Sequence, residues 1–442
     1  MNNIRIKDFI TNEWCEYADY DNRRAIPHIM DGLKITQRKA LYTATKMSKS
    51  DKPIRVSQFA SRASEMCQYH HGEQSLITTV INLAQDYTGS NNYPLLFKQG
   101  QFGNRLNGGI SSAPRYINTK LHENWNVFFN DEDQNVVTYL YDDGDKIEPS
   151  YFIPVIPMIL VNGAEGMGNG FSTKILSYSV QHIINAIQEY TKTKTIQTKL
   201  VPFIKGYTGK IEKEDRQTVI TGVVQKVNSY KLHITELPPH YDNEKFKKVL
   251  NDLVDKKIIK DYENHSTEDA WSWIIKCGSE LTSKSNEDLI EIFSLRYKIT
   301  ENIVCWGMDG KRPITFDSPE ELIKVWCDER LKLYKDVIQF KINKISQDII
   351  AADLKVKFLE WCIKNDIKNF TKKELLDGIQ NNIKHITPEL SEKFVSLPIY
   401  KITKDEVEKE KNIIQQLLDE LDIAENTTPD GLMIERLKSV KL

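Results

Sequence analysis

From Ser318 onward, one pattern constrains the fold more than any other part of this chain. Ser318-Pro319-Glu320-Glu321 reads as a helix start: a capping serine, proline in the first turn, then acids. Leu331, Tyr334, Ile338, Ile342, Ile345, Ile349, Ala352, Val356 and Leu359 then recur at steps of three and four. That spacing predicts one helix of about 45 residues, roughly 65–70 Å long at a rise of ~1.5 Å per residue. A helix of this length outruns a single small core and needs a partner along its side. A second, charged helix over about Lys404–Ala424 carries Val407, Ile414, Leu417 and Leu421 on one stripe. With the compact helical segment between them, the two read as an antiparallel coiled coil. A plain helix bundle satisfies the same spacing.

The rest of the 442 residues leaves room for about two to four domains in total. Residues 24–90 read as three short helices with polar turns. These are Lys34–Lys46, then 56–68, then a helix from His71 to about Gln85 with Leu76, Ile77, Val80, Leu83 and Ala84 on one face. That arrangement suits a helix-turn-helix module. Residues 91–175, rich in Gly, Asn and Pro, read as strands and loops. Alternation over 200–240, ending at Pro238-Pro239, predicts a small antiparallel sheet.

Net charge is −2 overall, which argues against a purely basic nucleic-acid coat. It is unevenly spread: residues 1–120 carry +6 and the remainder −8. A basic first domain on an acidic body can bind DNA on one face, although ordinary fluctuation in charge gives the same numbers. The six cysteines form no C-x-x-C pair, so neither a zinc ribbon nor a disulfide framework is indicated and a reducing cytoplasmic setting is expected. No apolar stretch approaches the about 18–20 residues that a membrane span needs, and the first residues lack an apolar signal region.

Chemistry-bearing motifs are few. No G-x-x-x-x-G-K-[ST] or H-E-x-x-H occurs, and the glycines of 163–170 do not form a dinucleotide fingerprint. Cys67, His70 and His71 cluster without a second ligand pair, so no metal site is expected on this chain. Arg115-Tyr116, in a loop rich in Ser and Gly, could pair a nucleophile with an anion clamp. Alone, the same dipeptide is far more often a packed surface tyrosine.

A longer set of blocks, in order, resolves that ambiguity. Arg24-Ala-Ile-Pro27, Asp31-Gly-Leu-Lys-Ile-Thr-Gln-Arg-Lys39, Tyr69-His-His-Gly-Glu-Gln-Ser-Leu76 and Asn82-Leu-Ala-Gln85 come first. Gly89-Ser-Asn-Asn92, Gln101-Phe-Gly-Asn-Arg105 and Ser112-Ala-Pro-Arg-Tyr-Ile117 follow. Glu148-Pro149, the run Ile153–Gly168, Gly206-Tyr-Thr-Gly209 and Ile234-Thr-Glu-Leu-Pro238 complete the set. Together they resemble the breakage–reunion core of type IIA DNA topoisomerases, nearest the eukaryotic-like branch. The chain lacks the Glu-Gly-Asp-Ser motif of the metal-binding TOPRIM domain and any ATPase domain. That division resembles the medium subunit of T-even-type phage topoisomerases, or the bacterial breakage–reunion subunit without its DNA-wrapping domain.

The resemblance implies an α+β multidomain fold. It comprises an arm (1–19), a winged-helix DNA-gate domain (20–150), a tower domain with a small antiparallel sheet (151–317), a coiled coil with a dimerising tip (318–425) and a tail (426–442). The tip, about Asp366–Tyr400, offers Phe370, Leu375, Leu376, Phe394, Val395 and Leu397 for a two-fold interface. Tyr116 is implied as the nucleophile that forms a 5′-phosphotyrosyl link, conserving the phosphodiester energy. A phenol has a reference pKa of about 10 and needs activation, with cations for the developing charge. Arg115, Arg24 and His71 are implied beside it; His71 alternatively caps or binds phosphate at its helix start. Lys34, Arg38, Lys39 and His70 are implied DNA contacts, although the lysines and Arg38 also fit a solvated face. Met167 stands where relatives carry an isoleucine that wedges between base pairs.

The implied partners are double-stranded DNA, a second copy of the chain, and a large subunit whose TOPRIM domain holds Mg²⁺ and whose ATPase uses ATP. Without a wrapping domain, relaxation and decatenation are expected rather than supercoiling. The loop Gly109-Ile-Ser-Ser-Ala-Pro114 is one residue shorter than in cellular eukaryotic relatives and lacks their Lys-Asp. A non-catalytic architectural DNA-binding protein, or an inactive scaffold, is the competing reading.

Overall fold

The structure is a computed structural model that describes all residues except 1–4, 48–51, 215–216, 366, 368–369, 385 and 442. The chain forms two compact units, residues 1–330 with 434–442, and residues 331–433.

In the first unit, helix α1 (Cys15–Ala25) leads into helix α2 (Ile35–Met47). Strand β1 (Ile54–Arg55), helix α3 (Val56–Met66) and helix α4 (Glu73–Ala84) follow. The predicted face of α4 is the buried one: Leu76, Ile77, Val80, Leu83 and Ala84 are all in the core. Strands β2 (Leu96–Gln99) and β3 (Asn118–Leu121) complete a three-stranded antiparallel wing in the order β1-β3-β2. Three helices against a small wing form the expected winged helix.

The hairpin of strands β4 (Ala164–Met167) and β5 (Ser172–Ile175) lies against α1. Its glycines are steric requirements. A Cβ on Gly166 would fall 2.0 Å from the Ala25 carbonyl oxygen, and one on Gly168 would fall 2.2 Å from Asn22 Oδ1. Further along, a four-stranded antiparallel sheet of Val223–Asn228, Lys231–Glu236, Trp273–Lys276 and Asp261–Asn264 covers its own core. Leu232, Ile234, Phe246, Leu250, Trp273 and Phe293 fill that core. This is the small sheet expected of the tower, with more strands than the sequence resolved.

The long helix α5 (Pro319–Asn365) has 47 residues, close to expectation. Its first turns are rooted in the first unit. The Trp326 indole donates to the Met30 carbonyl at 3.0 Å, and Arg330 Nε donates to the Pro154 carbonyl at 3.0 Å. Arg330 also forms a fully buried ion pair with Asp133. The unit boundary therefore falls at Leu331 rather than at 318. No compact break occurs at 150, because the buried Asp31 accepts from the Phe152 amide at 3.0 Å.

In the second unit, the expected stripe of α5 is buried or half-buried from Leu331 to Leu359. Helix α6 (Lys404–Asn426) contributes Val407 to a core with Leu354, Phe358, Leu359, Ile379 and Phe394. Phe394 is thereby removed from the candidate two-fold interface, whereas Phe370 is exposed. Asp366, the start of the expected tip, lies outside the described residues, as do the first four residues of the arm and the last of the tail.

The expected tail is in fact a helix, α7 (Pro429–Ser439), and the expected arm is helical from Ile6. In the first unit, Arg436 on α7 pairs with Glu132 at 2.6 Å.

Candidate nucleic-acid interface and cleavage site

Tyr116 lies in the turn just before β3. Its amide donates to the Ala113 carbonyl at 2.9 Å, closing the turn. The next residue, Ile117, is fully buried, and its carbonyl accepts from the Val56 amide at 2.9 Å. The wing thus clamps the backbone on one side of Tyr116 while the ring points outward, 68% exposed. A large aromatic at a tight turn, with its ring in solvent, is available for chemistry. The Arg115 guanidinium carbon stands over that ring, 5.0 Å from its centroid, and Arg115 is itself exposed. A cation beside an accessible phenol supplies the charge that a phosphate oxygen would meet.

The loop ahead of Tyr116 is held from below. Gln85 Nε2 donates to the carbonyls of Phe102 and Gly109, both at 2.8 Å. Arg105 forms a buried ion pair with Glu236 and stacks over Trp271, 5.1 Å from its ring. Glu236 also accepts from Thr208. These contacts fix the loop from inside and leave the Tyr116 face open.

A second cluster gathers around Arg24 and His71. Arg24 is half-buried at the end of α1, with no ion-pair partner among the described residues, and its Nε is a buried donor without an acceptor. His71 precedes α4, whose N-cap residue, Gly72, offers no side-chain cap. The free amides there favour an anion. Burial, then the positive field of Arg24, His70 and Lys39, holds His71 below the usual histidine range. His70 is exposed and pairs with Asp142 at 2.9 Å. No hydrogen bond links Tyr116 to Arg24 or His71 among the described residues, so one chain presents two groups of site residues rather than one.

The β4–β5 hairpin carries Met167 and accepts a hydrogen bond from Lys34. Lys34 Nζ donates to the Glu165 carbonyl at 2.7 Å, leaving further donors. Burial lowers its pKa, with Glu165 opposing. Met167 ends β4 and is 85% exposed, an apolar side chain standing free on a hairpin braced by the two glycines.

Arg38 and Lys39, expected as DNA contacts, are engaged by partners inside the fold. Arg38 is buried, with Nε donating to Asp31 Oδ2 at 2.8 Å and Nη2 to Asp31 Oδ1 at 3.1 Å. Lys39 is buried too, and its Nζ donates to Glu148 at 2.9 Å and to the Cys67 carbonyl at 2.6 Å. Both cations are largely shut away from solvent. Among the described residues, no group of three or more His, Cys, Asp or Glu side chains is placed to hold a metal ion. None of their helices is long and apolar enough to cross a membrane.

A helix-turn-helix with a wing that bears an exposed arginine–tyrosine pair, followed by a sheet-bearing tower and a very long helix, defines the breakage–reunion core of type IIA topoisomerases. The chain belongs to the DNA gyrase/topoisomerase IV A-subunit family, which it matches over residues 24–438. It is 33% identical to the mitochondrial DNA topoisomerase 2 of Dictyostelium discoideum, over 99% of this chain and 35% of that protein. It is 36% identical to human DNA topoisomerase 2-alpha, over 84% of this chain and 25% of that protein. The crystal structure of the DNA-binding, cleavage and re-ligation domain of Plasmodium falciparum topoisomerase II superposes with a TM-score of 0.89 at 32% identity. That match covers 98% of this chain and 63% of the other. The chain thus spans about a third of the length of the Dictyostelium relative.

Proposed function

We propose that this chain is the DNA-cleaving and rejoining subunit of an ATP-dependent type II DNA topoisomerase. The Tyr116 hydroxyl attacks a backbone phosphorus and loses its proton. The P–O bond to the 3′ oxygen breaks, leaving a 5′-phosphotyrosyl link and a free 3′-hydroxyl. Attack by that hydroxyl reverses the step. Because one ester replaces another, rejoining needs no energy input. Two copies, one per strand, open a duplex so that a second one passes, relaxing supercoils and decatenating rings.

The observation that carries this reading is the exposed Tyr116 ring on the wing with Arg115 over it. Arg115 neutralises charge on the phosphate in flight. Lys34, His70, Arg24 and His71 bind backbone phosphates, and Met167 enters a base step. Mg²⁺, when bound, supplies further charge at the phosphate. The described residues of this chain offer no ligand set for it, so its carboxylates are assigned to a TOPRIM-bearing large subunit, which also carries the ATPase. Two copies associate through the tip of the second unit, where Phe370 is exposed. The setting is the cytoplasm, that of the host if a phage encodes the chain.

The test is a denaturant-trapped cleavage assay with plasmid, Mg²⁺ and the large subunit. Wild type forms a covalent protein–DNA adduct, and Tyr116→Phe binds duplex as tightly but forms none. An adduct from the Phe variant sinks the proposal. The chain without its partner binds DNA and cuts it poorly.

A further inference from the structure

Tyr20 carries no motif that marks it in the sequence. It stands on α1 four residues before Arg24, so both side chains leave the same face of that helix. Its hydroxyl is hydrogen-bonded to His71 Nε2. The two rings lie 5.7 Å apart and tilted by 36°. On another side, Tyr69 meets His71 edge-on at 5.3 Å and 68°. The Tyr69 hydroxyl is buried without a partner, so the cluster holds a second unsatisfied polar group beside Arg24 Nε. His71 is thus gripped by two aromatic rings and tethered through one nitrogen, while nothing described engages Nδ1.

We propose that Tyr20 is a positioning residue for the phosphate-binding cluster: by donating its hydroxyl proton to Nε2, it holds His71 as the Nδ1–H tautomer. This rests on the function proposed above. The donor direction follows from acidity. A phenol is a stronger acid than the N–H of a neutral imidazole, so the hydroxyl gives and the ring nitrogen accepts. Burial comes first, and the neighbouring Arg24, His70 and Lys39 add to it, in disfavouring a second proton on the ring. A neutral imidazole in water prefers Nε2–H. Tyr20 reverses that preference and leaves Nδ1–H as a donor for a phosphate oxygen. Arg24 contributes the full positive charge and His71 an oriented neutral donor.

Histidine-selective nitrogen NMR of the full-length chain reads the tautomer directly. Wild-type His71 shows a protonated Nδ1, and Tyr20→Phe, which keeps the ring, shows a protonated Nε2. In the plasmid cleavage assay with the large subunit and Mg²⁺, Tyr20→Phe slows adduct formation by about tenfold, part of the ~10²–10³ lost with one oriented transition-state donor. Duplex affinity stays within about twofold. The Tyr20→Phe/His71→Ala double variant is no slower than His71→Ala alone, since Tyr20 acts only through that ring. Nε2–H in wild type, an unchanged tautomer in Tyr20→Phe, or additive losses in the double variant overturns the proposal. If wild type forms adduct while those results appear, the topoisomerase reading stands and only the role of Tyr20 falls. If wild type forms no adduct, both fall.

Discussion

Arg38 and Asp31 form a two-pronged ion pair that is shut away from solvent. Asp31 commits both oxygens to it, and these also accept from the Leu33 amide at 3.0 Å and the Phe152 amide at 3.0 Å. The carboxylate therefore ties α2 to the segment that begins the tower. Removing Arg38 would leave a buried anion with only backbone donors. Arg38→Ala is expected to lower stability by about 3–5 kcal/mol, the usual cost of orphaning one member of a buried pair. Thermal unfolding would show a large fall in midpoint. A variant of unchanged stability but weaker duplex binding would restore Arg38 as a phosphate contact.

Arg115 predicts the opposite profile. It is exposed, and its described contact is with the Tyr116 ring. Arg115→Ala is expected to leave the unfolding midpoint within about 0.5 kcal/mol of wild type, as for other surface changes. The first-order rate of adduct formation should fall by about 10²–10³, the scale set by losing one transition-state donor. Arg115→Lys should recover only part, because an ammonium cannot grip two phosphate oxygens. Equal rates for Ala and wild type would remove Arg115 from the chemistry.

Met167 is 85% exposed on a hairpin that its neighbours hold rigid, so the side chain can change without moving the backbone. An apolar wedge acts by unstacking a base step and bending the duplex. Met167→Ala should reduce bending, read as a smaller change in energy transfer between dyes at the duplex ends, and lower cleavage with it. Met167→Ile should retain both. Undiminished bending by the Ala variant would assign the wedge to another residue.

The sequence made the helices legible because periodicity is local. The stripe from Leu331 to Leu359 and the face of α4 need no knowledge of distant contacts. Cation roles are different. Arg38 and Lys39 present the same letters whether solvated or buried, and what decides between these is Glu148, 109 residues from Lys39, and Asp31 held by Phe152. Tyr20 is illegible locally for a similar reason: its partner His71 is 51 residues away. The one local signal was its four-residue spacing from Arg24 on one helix. Tyr116 was recoverable only because the blocks around it resemble a family, as Arg-Tyr alone carries little information. The strands of the tower were under-resolved because its core forms between segments such as Leu232 and Phe293 that no local window joins.

Acid sensitivity follows from His28. Its ring stacks on Tyr151 at 5.0 Å, and Nδ1 accepts from the Met30 amide at 3.2 Å. Burial lowers its pKa to about 4, with Asp31 opposing and Arg38 reinforcing the shift. Above pH ~6.5 the ring is neutral in both folded and unfolded chains and pH has no effect through it. Between about 6.5 and 4 the unfolded chain takes up a proton that the folded chain refuses, so stability falls as pH falls. Below about 4 both forms are protonated and this contribution levels off. The loss across the window is on the order of 3 kcal/mol. His28→Gln, which keeps an acceptor but cannot titrate, should show a shallower decline in urea midpoint across that window. Parallel wild-type and Gln profiles would show that His28 is not the group responsible.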